Sequence, residues 1–153
     1  MSMTDPIADF LTRVRNGIVA QHDIVEIPAS KLKREMARIL KEQGYIAGYE
    51  MREHDAEHPG DMLAVELKYA EDRRSAITGL KRASRPGQRY YVDHGSIPKV
   101  QGGMGTTIVS TSRGVMTGHE ARAATAGTTV QIQTSATNGT SPYATQINAI
   151  RIA

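Results

Sequence analysis

The sequence predicts an α+β chain of two small domains: an N-terminal helix–strand–helix–strand–strand domain over residues 1–72 and a mostly β C-terminal domain with one short helix over 73–153. Three observations predict it. Apolar residues recur at helical spacing in two early segments and alternate strictly in the segments around them. The sign of charge changes near residue 72: residues 50–72 carry eight acids against Arg52 and Lys68, and residues 73–91 carry six bases and no acid. Beyond about residue 125 the chain becomes an atypical polar extension of Thr, Ser, Gln, Asn and Ala, with Arg151 its one charged residue.

Each element follows from local chemistry. Thr4 or Asp5 can cap the first helix, and Pro6 suits its first turn, where a missing N–H costs nothing. Ile7, Phe10, Leu11 and Val14 form its apolar stripe, and Asn16-Gly17 is expected to stop it. Arg13 and Arg15 near its end either complement the helix dipole or meet a polyanion. Ile24, Val25, Glu26 and Ile27 alternate as a strand ended by Pro28. Ser30 caps a second helix with Leu32, Met36, Ile39 and Leu40 on one side, Lys31, Lys33, Arg34, Arg38 and Lys41 over the rest, and Gly44 closing it. Residues 45–51 and 62–69 read as strands joined by an acidic loop.

In the second half, residues 75–82 form a strand or linker, and Arg85-Pro86-Gly87 is a turn. Residues 89–92 form a short strand, residues 97–100 a helical turn or loop, and residues 106–110 a β-branched strand. After Val115-Met116-Thr117, Thr117 can cap a short helix with Glu120 three residues on, a capping box. Two later segments alternate as strands, 129–133 and 146–152. The first is preferred as the closing strand with a tail after it; the alternative has the second close the sheet.

At 153 residues the chain holds one ordinary core or two small packed halves. A net charge of +3 is by itself a weak sign of nucleic acid, and the clustering of bases in 31–41 and 73–91 says more. With no cysteine, disulfides, thiolate metal sites and a cysteine nucleophile are excluded. No apolar run reads as a signal peptide or membrane span, so a soluble intracellular protein is the default. His54, Asp55, Glu57 and His58 lack the rigid support a metal site needs, Gly102-Gly103-Met104-Gly105 lacks the Lys and hydroxyl of a phosphate loop, and no base is marked out for Ser110 or Ser112. The chain is therefore expected to be no enzyme and to need no cofactor.

The run Ser110-Thr111-Ser112-Arg113-Gly114 combines three hydroxyls, which both donate and accept, with a glycine that permits close backbone approach. Taken with Asp5-Pro6-Ile7-Ala8-Asp9, Thr12-Arg13-Val14-Arg15-Asn16-Gly17, Pro28-Ala29-Ser30-Lys31-Leu32-Lys33, Ser84-Arg85-Pro86-Gly87 and Gly105 before the hydroxyl run, it resembles the bacterial ribosomal protein S8 family across about residues 3–124. Arg113 stands where the family commonly has Lys.

The resemblance implies a two-domain α+β fold and a structural constituent of the small ribosomal subunit, cytoplasmic and within the ribosome. It implies binding to the central domain of the small-subunit rRNA, contact with neighbouring ribosomal proteins, binding of the chain's own mRNA as in many members, and no membrane partner. Carried over residue by residue, the RNA-binding set is Thr4, Asp5, Pro6, Ser30, Lys31, Lys33, Arg85, Tyr91, Ser110, Thr111, Ser112, Arg113 and Gly114. The chain departs from the family at its C-terminus: Gly127-Thr128-Thr129 stands near the family's Gly-Gly-Glu, and no glutamate follows Glu120. The alternative function is a non-catalytic protein-interaction module using basic faces and a β-rich tail.

Overall fold

A computed structural model describes residues 5–53, 56–57, 59–85, 87, 90–92, 94–97, 99–100, 105–111, 113–123 and 144–151. It is a mixed α+β chain that divides into two compact units, Pro6–Gly79 and, together with Asp5, Leu80–Arg151. The division falls after Gly79, beyond the change of charge sign at residue 72. Residues 68–76 close on themselves, with a bridge between Tyr69 and Ser75 and a bond from the Ala76 N–H to the Lys68 carbonyl (2.9 Å), so they end the first unit.

In the first unit, helix α1 (Pro6–Val19) is followed by strand β1 (Ile24–Pro28), helix α2 (Lys31–Glu42) and strands β2 (Ile46–Arg52) and β3 (Met62–Leu67). The strands form an antiparallel sheet in the order β1-β3-β2. Register places Val25 opposite Val65 and Ile27 opposite Leu63, and all four are buried. The alternate row, Ile24 opposite Glu66, is exposed, as the period of two requires. Phe10, Leu11 and Val14 of α1 and Met36, Ile39 and Leu40 of α2 complete the core. Each such side chain contributes roughly 1.5–3 kcal/mol by leaving water.

Gly17 does not stop α1. The helix runs on to Val19, and Gly17 is buried within it because a Cβ there would collide with Cγ2 of Val25. The glycine serves close packing of helix on strand. Gly17→Ala would gain about 1 kcal/mol of helix propensity against an overpacking cost of about 1–3 kcal/mol. Net destabilisation in urea unfolding is expected, and a more stable variant would contradict the contact. The second helix ends as expected: Gly44 has φ +80°, its N–H donates to the Lys41 carbonyl (3.0 Å), and that of Tyr45 donates to Leu40 (2.9 Å).

Strand β4 (Gly79–Arg82) starts at the last residue of the first unit, and its other residues belong to the second, which also contains strand β5 (Tyr91–Val92), a 3₁₀ turn at His94–Ser96, strands β6 (Thr106–Thr111) and β7 (Gly114–Thr117), helix α3 (Gly118–Ala123) and strand β8 (Ala144–Arg151). The sheet order is β4-β8-β6-β7, with β5 also pairing β8. The capping box forms reciprocally: the Thr117 N–H donates to Glu120 Oε2 (2.9 Å) and the Glu120 N–H to Thr117 Oγ1 (3.1 Å). Ile97, Ile108, Val109 and Ala121 are buried alongside polar Ser84, Thr107, Thr111 and Thr117, so this small core depends on satisfied hydroxyls as well as apolar area.

The preference for 129–133 as closing strand is corrected, since β8 lies inside the sheet. β8 pairs with β5 over Ala144 and Thr145 and with β6 between Thr145 and Ile150, close to the alternative 146–152. Residues 129–133 lie outside the described residues, as does most of the acidic-loop group His54, Asp55 and His58.

Candidate nucleic-acid interface

In the first unit the candidate surface is the start of α2. Ser30 is extended (φ −151°, ψ 160°) and its hydroxyl accepts the Lys33 N–H at 3.2 Å, so the cap fixes where the helix begins. The five cations that follow do not share one fate. Arg38 is held by Glu35 and Glu42 (3.1 and 2.9 Å), and Lys41 lies over the Tyr49 ring (5.8 Å). Lys31 and Arg34 are exposed and have no acidic partner among the described residues.

Lys33 departs from the expectation that it lies against RNA. Its side chain is 3% exposed, its Nζ donates to the Pro28 carbonyl at 2.9 Å, and Asp9 Oδ2 stands 3.9 Å away. Burial pushes its ammonium below the ordinary lysine range, with Asp9 pulling the other way and Arg13 adding to the fall. Such a group joins α1, β1 and α2; it offers little to a phosphate. The sequence contained the warning, because Lys33, Ala37 and Leu40 share one helical stripe at i, i+4 and i+7. By the same spacing Lys31 and Arg34 share the exposed face, which is how Arg34, absent from the expected set, could have been found.

In the second unit the hydroxyl run is the turn between β6 and β7. Thr111 is buried, and its Oγ1 donates to the Gly114 carbonyl (2.8 Å) and accepts the Arg113 N–H (3.1 Å). Gly114 has φ +113°, a conformation that a side chain would strain, although nothing within 4 Å would obstruct a Cβ there. Thr111 is thus the brace of the turn, Ser110 is half-buried and Arg113 exposed. Thr4 and Ser112 lie outside the described residues. Asp5 is paired with the buried Arg82 (3.4 Å), Pro6 is the exposed first residue of α1, and Arg85 is exposed.

Register brings a separate element to the same place. Tyr91 of β5 is opposite Thr145 of β8, and Thr145 is opposite Ser110 of β6. Directly opposed residues share a sheet face, and neighbouring strands are about 4.8 Å apart, so Tyr91 and Ser110 occupy one row about 10 Å apart. Tyr91 is 42% exposed. An aromatic ring, a hydroxyl turn and an exposed guanidinium on one end of a sheet are groups that stack on bases, meet 2′-hydroxyls and neutralise phosphate.

The family model for ribosomal protein S8 matches residues 5–133. The chain belongs to the ribosomal protein S8 family. It is 54% identical over 122 residues to the small ribosomal subunit protein uS8 of Acidobacterium capsulatum, covering 80% of this chain and 90% of that one. It is 52% identical to that of Rubrobacter xylanophilus over the same shares, and 52% identical to that of Leuconostoc citreum over 83% of this chain and 94% of the relative. As an S8 protein the chain is a non-catalytic, RNA-binding component of the translation machinery. No helix among the described residues is long and apolar enough to cross a membrane. The S8 match stops at residue 133, short of β8.

Proposed function

We propose that this S8 protein binds and orders the central domain of the small-subunit rRNA in the cytoplasmic ribosome, contacting neighbouring ribosomal proteins there. The observation that carries the reading is the braced hydroxyl turn 110–114 in one sheet row with Tyr91, within the part of the chain that matches the family. Double-stranded RNA hides its base edges in a deep groove, so selectivity must come from shape, 2′-hydroxyls and irregular bases. A short turn whose backbone is set by its own threonine is suited to that, since little conformational freedom is left to lose on binding. Lys31, Arg34 and Arg113 supply the salt-dependent share of affinity. An mRNA presenting the same irregular helix would compete for the same groups.

Chemical footprinting of small-subunit RNA with the purified protein tests the reading: protection confined to one irregular helix of the central domain is expected, and protection elsewhere or none would refute it. Weak retention of any RNA at moderate salt would favour a protein-interaction module instead. Lys31→Ala and Arg34→Ala should each weaken specific and nonspecific RNA alike and reduce the slope of log affinity against log salt by about one. An unchanged slope in titrations from low to high salt would make that face a merely solvated one.

A further inference from the structure

We infer that Lys33 is a positioning residue for RNA binding: buried and touching no phosphate itself, it sets the turn between β1 and α2 that presents Lys31. The inference rests on the RNA-binding reading and goes beyond it. Three bonds hold the turn Pro28-Ala29-Ser30-Lys31. The Lys33 Nζ donates to the Pro28 carbonyl (2.9 Å), the Ala29 N–H donates to the Asp61 carbonyl (2.8 Å), and the Ser30 hydroxyl accepts the Lys33 N–H (3.2 Å). Two of the three come from Lys33, one from its backbone and one from its side chain.

Stability alone does not call for an ammonium at this position. An unbranched apolar side chain would cover much the same surface without desolvating a charge. What the ammonium adds is a charge-assisted bond to one carbonyl, and with it a fixed geometry. Asp9 Oδ2, at 3.9 Å, is beyond hydrogen-bond reach, so it offsets the charge without competing for that bond. The placement of Lys31 points the same way. Helix α2 has no acid in its first turn and begins with Lys31, whose charge adds to the positive end of the helix dipole. That is unfavourable to the helix and favourable to a phosphate. Lys31 is exposed and directly follows the capping Ser30, so the backbone that Lys33 fixes also fixes where Lys31 leaves the chain. A turn already set loses little freedom when its lysine closes on a phosphate. In the second unit Thr111 holds the hydroxyl turn in the same way, accepting one N–H and donating to one carbonyl.

The test is a double-mutant cycle on the full chain. Binding to a fragment of the central-domain rRNA would be measured over a range of salt for the unaltered protein, Lys33→Met, Lys31→Ala and the double variant. Lys33→Met alone is expected to weaken binding about three- to tenfold. In the Lys31→Ala background the same change should cost less than about twofold and leave the salt slope where Lys31→Ala put it. An equal loss in both backgrounds, with a further fall in slope, would mean that Lys33 meets phosphate itself and would overturn the inference. Unaltered affinity for Lys33→Met would reduce Lys33 to a purely structural residue. Lys31→Ala binding as well as the unaltered protein would also overturn the inference, while sparing the rest of the RNA reading. Failure of the unaltered protein to bind the fragment would sink that reading and the inference together. Should Lys33→Met not fold, Lys33→Gln, whose shorter polar side chain falls short of the Pro28 carbonyl, enters the same cycle with the same expected outcomes.

Discussion

Replacing Ser110, Thr111 and Ser112 together by alanine is expected to weaken binding to the cognate RNA by about 2–5 kcal/mol and to change nonspecific binding and its salt slope little. The structure divides that loss. Thr111 Oγ1 satisfies the Arg113 N–H and the Gly114 carbonyl, so its removal deprives the turn of two bonds, each worth about 0.5–1.5 kcal/mol. Thr111→Val, which keeps the volume and loses the oxygen, should therefore reduce specific affinity by about 10- to 100-fold through the shape of the turn. Thr111→Ser, which keeps the oxygen, should stay near the unaltered protein. Equal affinities for the Val and Ser variants in filter binding would show that the brace is irrelevant, and equal losses for cognate and nonspecific RNA would refute the division between hydroxyls and cations.

The largest effect on stability is expected at Lys33. Lys33→Ala removes a buried aliphatic stem and the donor to the Pro28 carbonyl, and should cost about 2–4 kcal/mol in urea unfolding at neutral pH. Lys33→Met keeps the stem and should cost less than half as much, because it also abolishes the desolvation of an ammonium. The pH dependence separates the two contributions. Burial lowers the folded pKa of Lys33 beneath the ordinary 10.5, so between those values the unfolded chain binds the proton more tightly. Its contribution to stability therefore rises with pH through that window and is flat below it, where both states are protonated. The difference in unfolding free energy between the unaltered protein and Lys33→Met should grow in favour of the former as pH climbs toward 10.5. A difference that falls with pH would mean that the pull of Asp9 outweighs burial.

These two residues also show how far the sequence could be read. The start of α2 was legible because its signals are local: Ser30 reaches an N–H three residues away, and Gly44 adopts a conformation that closes a helix. The Thr117–Glu120 box was legible for the same reason. Lys33 was misjudged because a lysine among four other cations looks like part of a charged face. Only its placement on the apolar stripe, beside a proline carbonyl and Asp9, turns it inward. Likewise Gly17 has the composition of a helix stop, and the approach of Val25 from a later strand gives it another use.

By itself the sequence determined the helix–strand–helix–strand–strand order of the first unit, the apolar stripes of its two helices, the caps of α2 and α3 and the place of the hydroxyl turn. Those follow from periods of 3.6 and 2 that the backbone imposes within a few residues. The tertiary structure alone decided that β8 lies between β5 and β6, that Tyr91 shares a row with Ser110, and which cations stay in water. Pairing and desolvation depend on residues far apart along the chain, and periodicity carries no information about which distant strand will close over a given side chain.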